Sequence, residues 1–171
     1  MEKLYRLPEE VKHPFFYMDT DALVSIDDEN TDPLQPVFCY EILYYNNVSL
    51  SVIPWEEPFS IKKAEETWTE LREQLNVVFA ARTSDEVKVL MNKAAAHFIM
   101  YLFWTNEKPA NPLKWKEELE VLSVKPVNVR ERLEFVLNQP SLFHSYKQLD
   151  QLFIEQIKQF AKAQAVRKHL K

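Results

Sequence analysis

Thr83-Ser84-Asp85-Glu86-Val87-Lys88-Val89-Leu90-Met91-Asn92-Lys93-Ala94-Ala95-Ala96-His97-Phe98-Ile99-Met100-Tyr101-Leu102-Phe103-Trp104 is the stretch that decides the fold. It opens with the Thr-x-x-Glu pattern of a capping box, a start signal for a helix. Val87, Leu90, Met91, Ala94, Phe98, Tyr101 and Leu102 then recur at helical spacing, and from Ala94 onward the chain is apolar on every side. A helix of that kind must be surrounded by other elements. The apolar run Ala94 to Trp104 is eleven residues long, whereas a membrane span needs about 20. The spacing therefore predicts a buried central helix rather than a membrane segment.

Working outward, Ile61, Ala64, Trp68, Leu71, Leu75 and Val78 form an amphipathic stripe after Ser60, with Lys62, Glu66, Glu70 and Glu73 on other faces. On the far side, Thr105 to Pro112 reads as a proline-broken loop. Asn111 as N-cap with Pro112 at the first helical position predicts a short helix to Leu122. Asn128 and Glu131 suggest a capping box for a helix reaching about Asn138. Pro140 breaks it, and Ser141 caps a last helix with the stripe Leu142, Tyr146, Leu149, Phe153, Ile157 and Phe160. Pro36 to Asn47 predicts one more short helix, closed by Asn46-Asn47. Val48 to Phe59 reads as an extended connector. Before Pro36 the chain is acidic and proline-rich, with Val11 to Leu23 loosely helical or irregular and Ser25 to Asp32 an exposed loop; Phe15, Phe16 and Tyr17 tie this arm to the body. The expected fold is all-α: one domain over 1–171, with an arm over 1–36 and an antiparallel bundle of about six helices over 37–171.

Composition narrows the chemistry. The chain has 171 residues and no glycine, where average usage of about 7% would supply roughly twelve. Glycine enters left-handed backbone without steric cost. P-loops, dinucleotide fingerprints and nucleophile elbows all require it, so none can exist here. Asparagine, the next most tolerant residue, has to close most helix ends. A formal net charge of −5 disfavours whole-surface attraction to nucleic acid or anionic membrane. The single cysteine, Cys39, cannot form an internal disulfide, and no apolar leader follows the polar Met1–Arg6; both point to the cytoplasm.

No constellation supplies a catalytic residue, and no enzyme activity or cofactor is expected. Cys39 lies between Phe38 and Tyr40, where a thiol is packing. Asp19-Thr20-Asp21 resembles the start of a calcium loop but has Leu23 and Val24 where a ligand and a glycine are required. The histidines His13, His97, His144 and His169 are dispersed. His97 and His144 on facing helices would be the core of a metal-dependent bundle enzyme, although no metal ligand is assigned. Residues 128–155 read as helix, turn, helix, with Ser145, Lys147, Gln148 and Gln151 on the second helix and Arg130 and Arg132 near phosphates. With the basic end Lys158 to Lys171, this makes a nucleic-acid-associated factor the alternative to a protein-interaction module.

Phe103-Trp104-Thr105-Asn106-Glu107-Lys108-Pro109 and Lys125-Pro126-Val127-Asn128-Val129-Arg130-Glu131-Arg132-Leu133-Glu134-Phe135, continued by Gln139-Pro140-Ser141-Leu142-Phe143-His144-Ser145-Tyr146, resemble the YpoC-like family of uncharacterised Bacillus-type bacterial proteins. The likeness covers roughly 55 to 160. It implies a small cytoplasmic protein and brings no reaction, cofactor or catalytic residue. The two segments direct attention to Trp104, Asn106, Lys108, Asn128, Arg132, His144 and Gln148, either as structural caps or as one binding surface, with Arg132 and His144 meeting near Pro140. The leading expectation is a non-enzymatic helical protein that binds an unknown protein partner or associates with itself; an exposed aromatic patch including Trp55 would serve this.

Overall fold

A computed structural model describes residues 1–170. Its centre is the helix α3 (Ser84–Trp104), in which every residue from Ala94 to Trp104 is buried. The all-round apolar sequence leaves no face for water, so neighbours enclose it. The helix α2 (Pro58–Ala81) lies along it with Ile61, Ala64, Trp68, Leu71, Leu75 and Val78 buried, the stripe read from the sequence. It starts ahead of Ser60 because Pro58 presets the helical φ and lacks the N–H that a first turn leaves unpaired. The corner between them has Arg82 at φ 56°. Thr83 does not cap the backbone of α3. Its hydroxyl donates to the Glu86 carboxylate at 3.1 Å and its N–H to the Val78 carbonyl, so neither backbone bond of the expected box forms.

The last helix, α6 (Phe143–Leu170), drives Phe153 into the α2–α3 seam. Phe153 stacks on Trp68 at 4.0 Å and 13° and meets Phe98 edge-on at 5.1 Å. Such ring pairs contribute about 0.5–1.5 kcal/mol beyond their area burial. The helix α5 (Val129–Asn138) packs on α6 through the buried Leu133 and Val136. Ser141 lies ahead of α6 rather than capping it. The segment after Pro112 forms only one α-turn, α4 (Trp115–Glu118), and a 3-10 turn over Leu119–Val121. Asn111 Oδ1 accepts the Lys114 N–H at 3.1 Å, the cap bond expected of it, although regular helix begins only at Trp115. The connector is extended except for a 3-10 turn at Pro54–Glu56. No described helix is long and apolar enough to cross a membrane.

The N-terminal arm corrects the all-α expectation. Glu2–Arg6 (β1) pairs antiparallel with Leu23–Asp27 (β2), from Glu2 opposite Asp27 to Arg6 opposite Leu23. Along β2, Val24 and the buried Ile26 turn inward while Leu23 and Ser25 face out, a period-two pattern suited to a half-covered strand. A two-stranded ribbon is marginal alone, and this one is held by the body. Leu7, Val11 and Ile26 join the main core. Phe16 meets Phe38 edge-on at 5.0 Å, and the Tyr17 hydroxyl donates to the Val37 carbonyl at 2.6 Å. Asn46, at the end of α1 (Cys39–Tyr45), donates from Nδ2 to the Arg6 carbonyl.

Left-handed backbone falls to Phe38, Asn47, Arg82, Glu107 and Asn128. Among the described residues asparagine therefore takes two of the five positions, and of the three that follow a helix end, Asn47, Arg82 and Glu107, only one. Phe38 stays there because its ring is wholly buried in the core, where packing outweighs the cost of the conformation, about 1–2 kcal/mol.

Candidate functional site

The residues singled out in the two loop segments do not converge on one surface. Asn106 is a clip. Its Nδ2 donates to the Leu102 and Val124 carbonyls, both at 2.7 Å, and its Oδ1 accepts the Val124 N–H at 2.9 Å. The buried Gln156 adds Nε2 bonds to Thr105 Oγ1 and the Val124 carbonyl. The end of α3, the 122–127 segment and α6 are thereby tied together. Asn128 is exposed at φ 55° and makes no side-chain cap, a bond that goes with the extended backbone a left-handed residue lacks. Arg132 does not reach His144 in any hydrogen bond or ion pair. It pairs with Glu155 across α5–α6 and donates to the Val127 carbonyl at 3.0 Å. His144 is exposed with its ring edge-on to Phe135 at 6.0 Å. Lys108 and Gln148 are half-buried at separate places.

The alternative sites lose their key members. Ser145 is fully buried and its hydroxyl donates to the Gln139 carbonyl, so it cannot touch a base edge. Lys147 lies over the rings of Phe143 and Tyr146. Lys171, at the end of the basic segment, lies outside the described residues. His97 is buried while His144 faces solvent, and no group of three or more metal-ligating side chains occurs among the described residues. The one Glu-x-x-His spacing, Glu10 to His13, falls at a 3-10 turn where His13 Nδ1 accepts the Phe15 N–H at 3.1 Å. Trp55 is buried against Tyr44 rather than exposed.

Trp104 alone among the singled-out residues lines a cleft of about 680 Å³. This size is in the range of about 300–1,000 Å³ typical of ligand sites. Its floor is made by α2 and α3, and its walls by the 31–40 and 52–60 segments. On α2 the polar stripe Ser60, Lys63, Thr67, Glu70 and Gln74 faces it, at steps of three and four beside the core stripe. Aromatic walls come from Tyr40, Phe59 and Trp104. Phe59 stands 74% exposed at the mouth.

The cleft's fixed points are set from behind. The Trp104 indole N–H donates to Glu41 Oε2 at 2.7 Å, and the Ala110 N–H donates to the same oxygen at 3.0 Å. Tyr40 meets Trp104 edge-on at 6.1 Å. Burial of Glu41 pushes its carboxyl up to about 7, against the pull of those two hydrogen bonds. His97 reaches the cleft from α3, its Nε2 at 2.7 Å from the Ala64 carbonyl. That carbonyl can only accept, so Nε2 carries the proton and Nδ1 presents a lone pair. Nδ1 is buried and has no partner. Burial lowers the His97 imidazole to about 4, with the Ala64 hydrogen bond and the charge of Asp32 opposing, so the ring is neutral at physiological pH. Lys93, one turn earlier on α3, also lines the cleft. Sequence reading missed this site because its residues come from three separate segments and only i, i+4 spacing links Lys93 to His97.

The relatives of this chain point the same way about its descent and say nothing of its chemistry. A model of the YpoC-like protein family matches residues 59–168. The Bacillus subtilis (strain 168) protein described as "Uncharacterized protein YpoC" is 32% identical over 138 residues, covering 80% of each chain. No solved structure matches. The matched region contains α2, α3, the Asn106 clip and most of the polar floor of the cleft. This chain therefore belongs to the YpoC-like family.

Proposed function

We propose that this protein is a non-enzymatic interaction module whose α2–α3 cleft receives a segment of a partner protein. The cleft itself carries the reading: a concave site of about 680 Å³ with aromatic walls, convergent polar groups and an exposed Phe59 at its mouth. Its chemistry suits binding more than catalysis. Burial pushes the Cys39 thiol up to about 12, with the charge of Glu41 adding to it, so the thiol stays protonated. His97 has one nitrogen committed to backbone, and no hydroxyl hydrogen-bonds to its ring among the described residues. A lone buried cysteine fits work in the reducing cytoplasm.

Site-specific photo-crosslinking in the native cell tests this. A benzophenone side chain replacing Phe59 is expected to trap one protein, which the same group replacing the exposed Val77 of α2 does not trap. The Arg132→Ala background should leave the adduct intact, because Arg132 lies on the α5–α6 seam. An identical adduct from both positions, no adduct at either, or an adduct at 59 that disappears with Arg132→Ala would overturn the proposal. An adduct with a second copy of this chain identifies self-association as the use of the cleft.

A further inference from the structure

Two surface features that neither the core nor the cleft uses lie at opposite ends of the molecule. The first is an apolar depression of about 300 Å³ at the α2–α3 corner. Val78, Val89 and Leu90 line it, Asp85 and Glu86 complete its edge, and no cation takes part. The second is the end of α6. Every residue from Ala165 to Leu170 is exposed, and no acid follows Glu155. Lys162, Val166 and Leu170 recur at steps of four and so form one ridge of the helix, a cation followed by two apolar side chains. Leu170 is 83% exposed. Arg167 is held by Glu107 of its own chain at 2.7 Å, which fixes the rotation of this last stretch and leaves the ridge in solvent. Neither Asp85 and Glu86 nor Lys162 forms an ion pair among the described residues.

The two features are complementary: an apolar depression edged by carboxylates, and an apolar ridge led by an ammonium. They cannot meet within one molecule. The helix α6 begins at the corner, with the Phe143 ring 5.6 Å from Phe79, and its far end reaches Glu107 beyond the other end of α3. The 21 residues of α3 hold the two sites about 30 Å apart. We infer that this chain associates head to tail with a second copy of itself, the Lys162–Val166–Leu170 ridge of one protomer seated in the α2–α3 corner depression of the next. Lys162 then faces Asp85 and Glu86. Burial of Val166 and Leu170 against Val89 supplies the attraction, and the opposite charges set the orientation. Two different patches make a heterologous contact, which propagates into rings or filaments instead of closing as a two-fold dimer. Both patches are small, so the association is weak and depends on concentration. The contact leaves the cleft free and stands whether or not the cleft receives a partner.

Sedimentation equilibrium of the full-length protein tests this. The average mass is expected to rise with concentration and to pass that of a dimer. Val89→Asp and Leu170→Asp change exposed side chains, so each should leave the thermal melt near wild type while weakening association about tenfold or more. Mixed in equal amounts, each variant keeps the half that the other lacks, and the mixture should form a dimer that grows no further. Phe59→Glu, at the mouth of the cleft, should leave the assembly unchanged. A wild type that stays monomeric up to about 1 mM, the weak end of specific association, would overturn the inference and leave the depression and the α6 ridge to different partners. A wild-type dimer that never grows, an assembly unmoved by Val89→Asp or Leu170→Asp, or a mixture no larger than its components would overturn it as well. Loss of assembly in Phe59→Glu would overturn it by moving the contact to the cleft.

Discussion

Replacing Glu41 by glutamine should change how the stability of this protein depends on pH. Glu41 is wholly buried, and its carboxyl rises from an ordinary 4.5 to about 7, chiefly through burial. The native state therefore holds a proton that the unfolded chain has already released, and stability falls as pH rises from 4.5 through about 7. His97 works in the opposite sense. Its imidazole falls from 6.5 to about 4, so the unfolded chain takes up a proton that the native state refuses, and stability falls as pH drops below 6.5. Between pH 5 and pH 8, Glu41 costs about 2.5 kcal/mol of stability while His97 returns about 2, so these two groups together change the wild type by less than about 1 kcal/mol.

Glu41→Gln keeps an acceptor for the Trp104 and Ala110 N–H groups and removes the titration. Its new amide faces the position where Oε1 has no partner, a burial cost of about 1–3 kcal/mol. The variant should be less stable than wild type at pH 5, gain about 2 kcal/mol by pH 8, and match or overtake wild type there. His13, whose imidazole burial also lowers, is common to both proteins and cancels in the comparison. Urea unfolding followed by tryptophan fluorescence at the two pH values measures the effect. Parallel profiles for the two proteins would refute a raised carboxyl at Glu41.

Two further substitutions test the fold. Asn106→Ala removes three hydrogen bonds, two of which join the end of α3 to Val124; a loss of about 2–3 kcal/mol is expected. This is a fall of roughly 5–10 °C in Tm by calorimetry. Arg82→Gly places the tolerant residue at φ 56° between α2 and α3, and should raise stability by up to about 1 kcal/mol if relief of the left-handed backbone exceeds the greater entropy of the unfolded chain. A lower Tm for that variant would show that unfolded-state entropy dominates at this corner.

Legibility followed the range of the interactions. The stripes of α2, α3 and α6 were readable because burial on one face repeats every three or four residues. The β1–β2 ribbon was not, since Leu23–Asp27 becomes a strand only when Glu2–Arg6, far back in the chain, lies beside it. Asn128 and Thr83 marked helix starts correctly although neither makes its expected cap bond to backbone. Asn106 was recognisable as a helix end, but its partner Val124 is eighteen residues on and carries no signal of its own.

From residue order alone came the helical character, the buried central helix and the loss of every glycine-dependent phosphate or nucleophile site. These follow from local periodicity and from which backbone conformations a side chain permits. Tertiary packing decided where the strand pair forms, which residues accept left-handed backbone in place of glycine, and that Lys93, His97 and Trp104 share a cleft with the 31–40 segment. Those outcomes depend on contacts between distant segments, whose free energies are set only once the whole core has closed around α3.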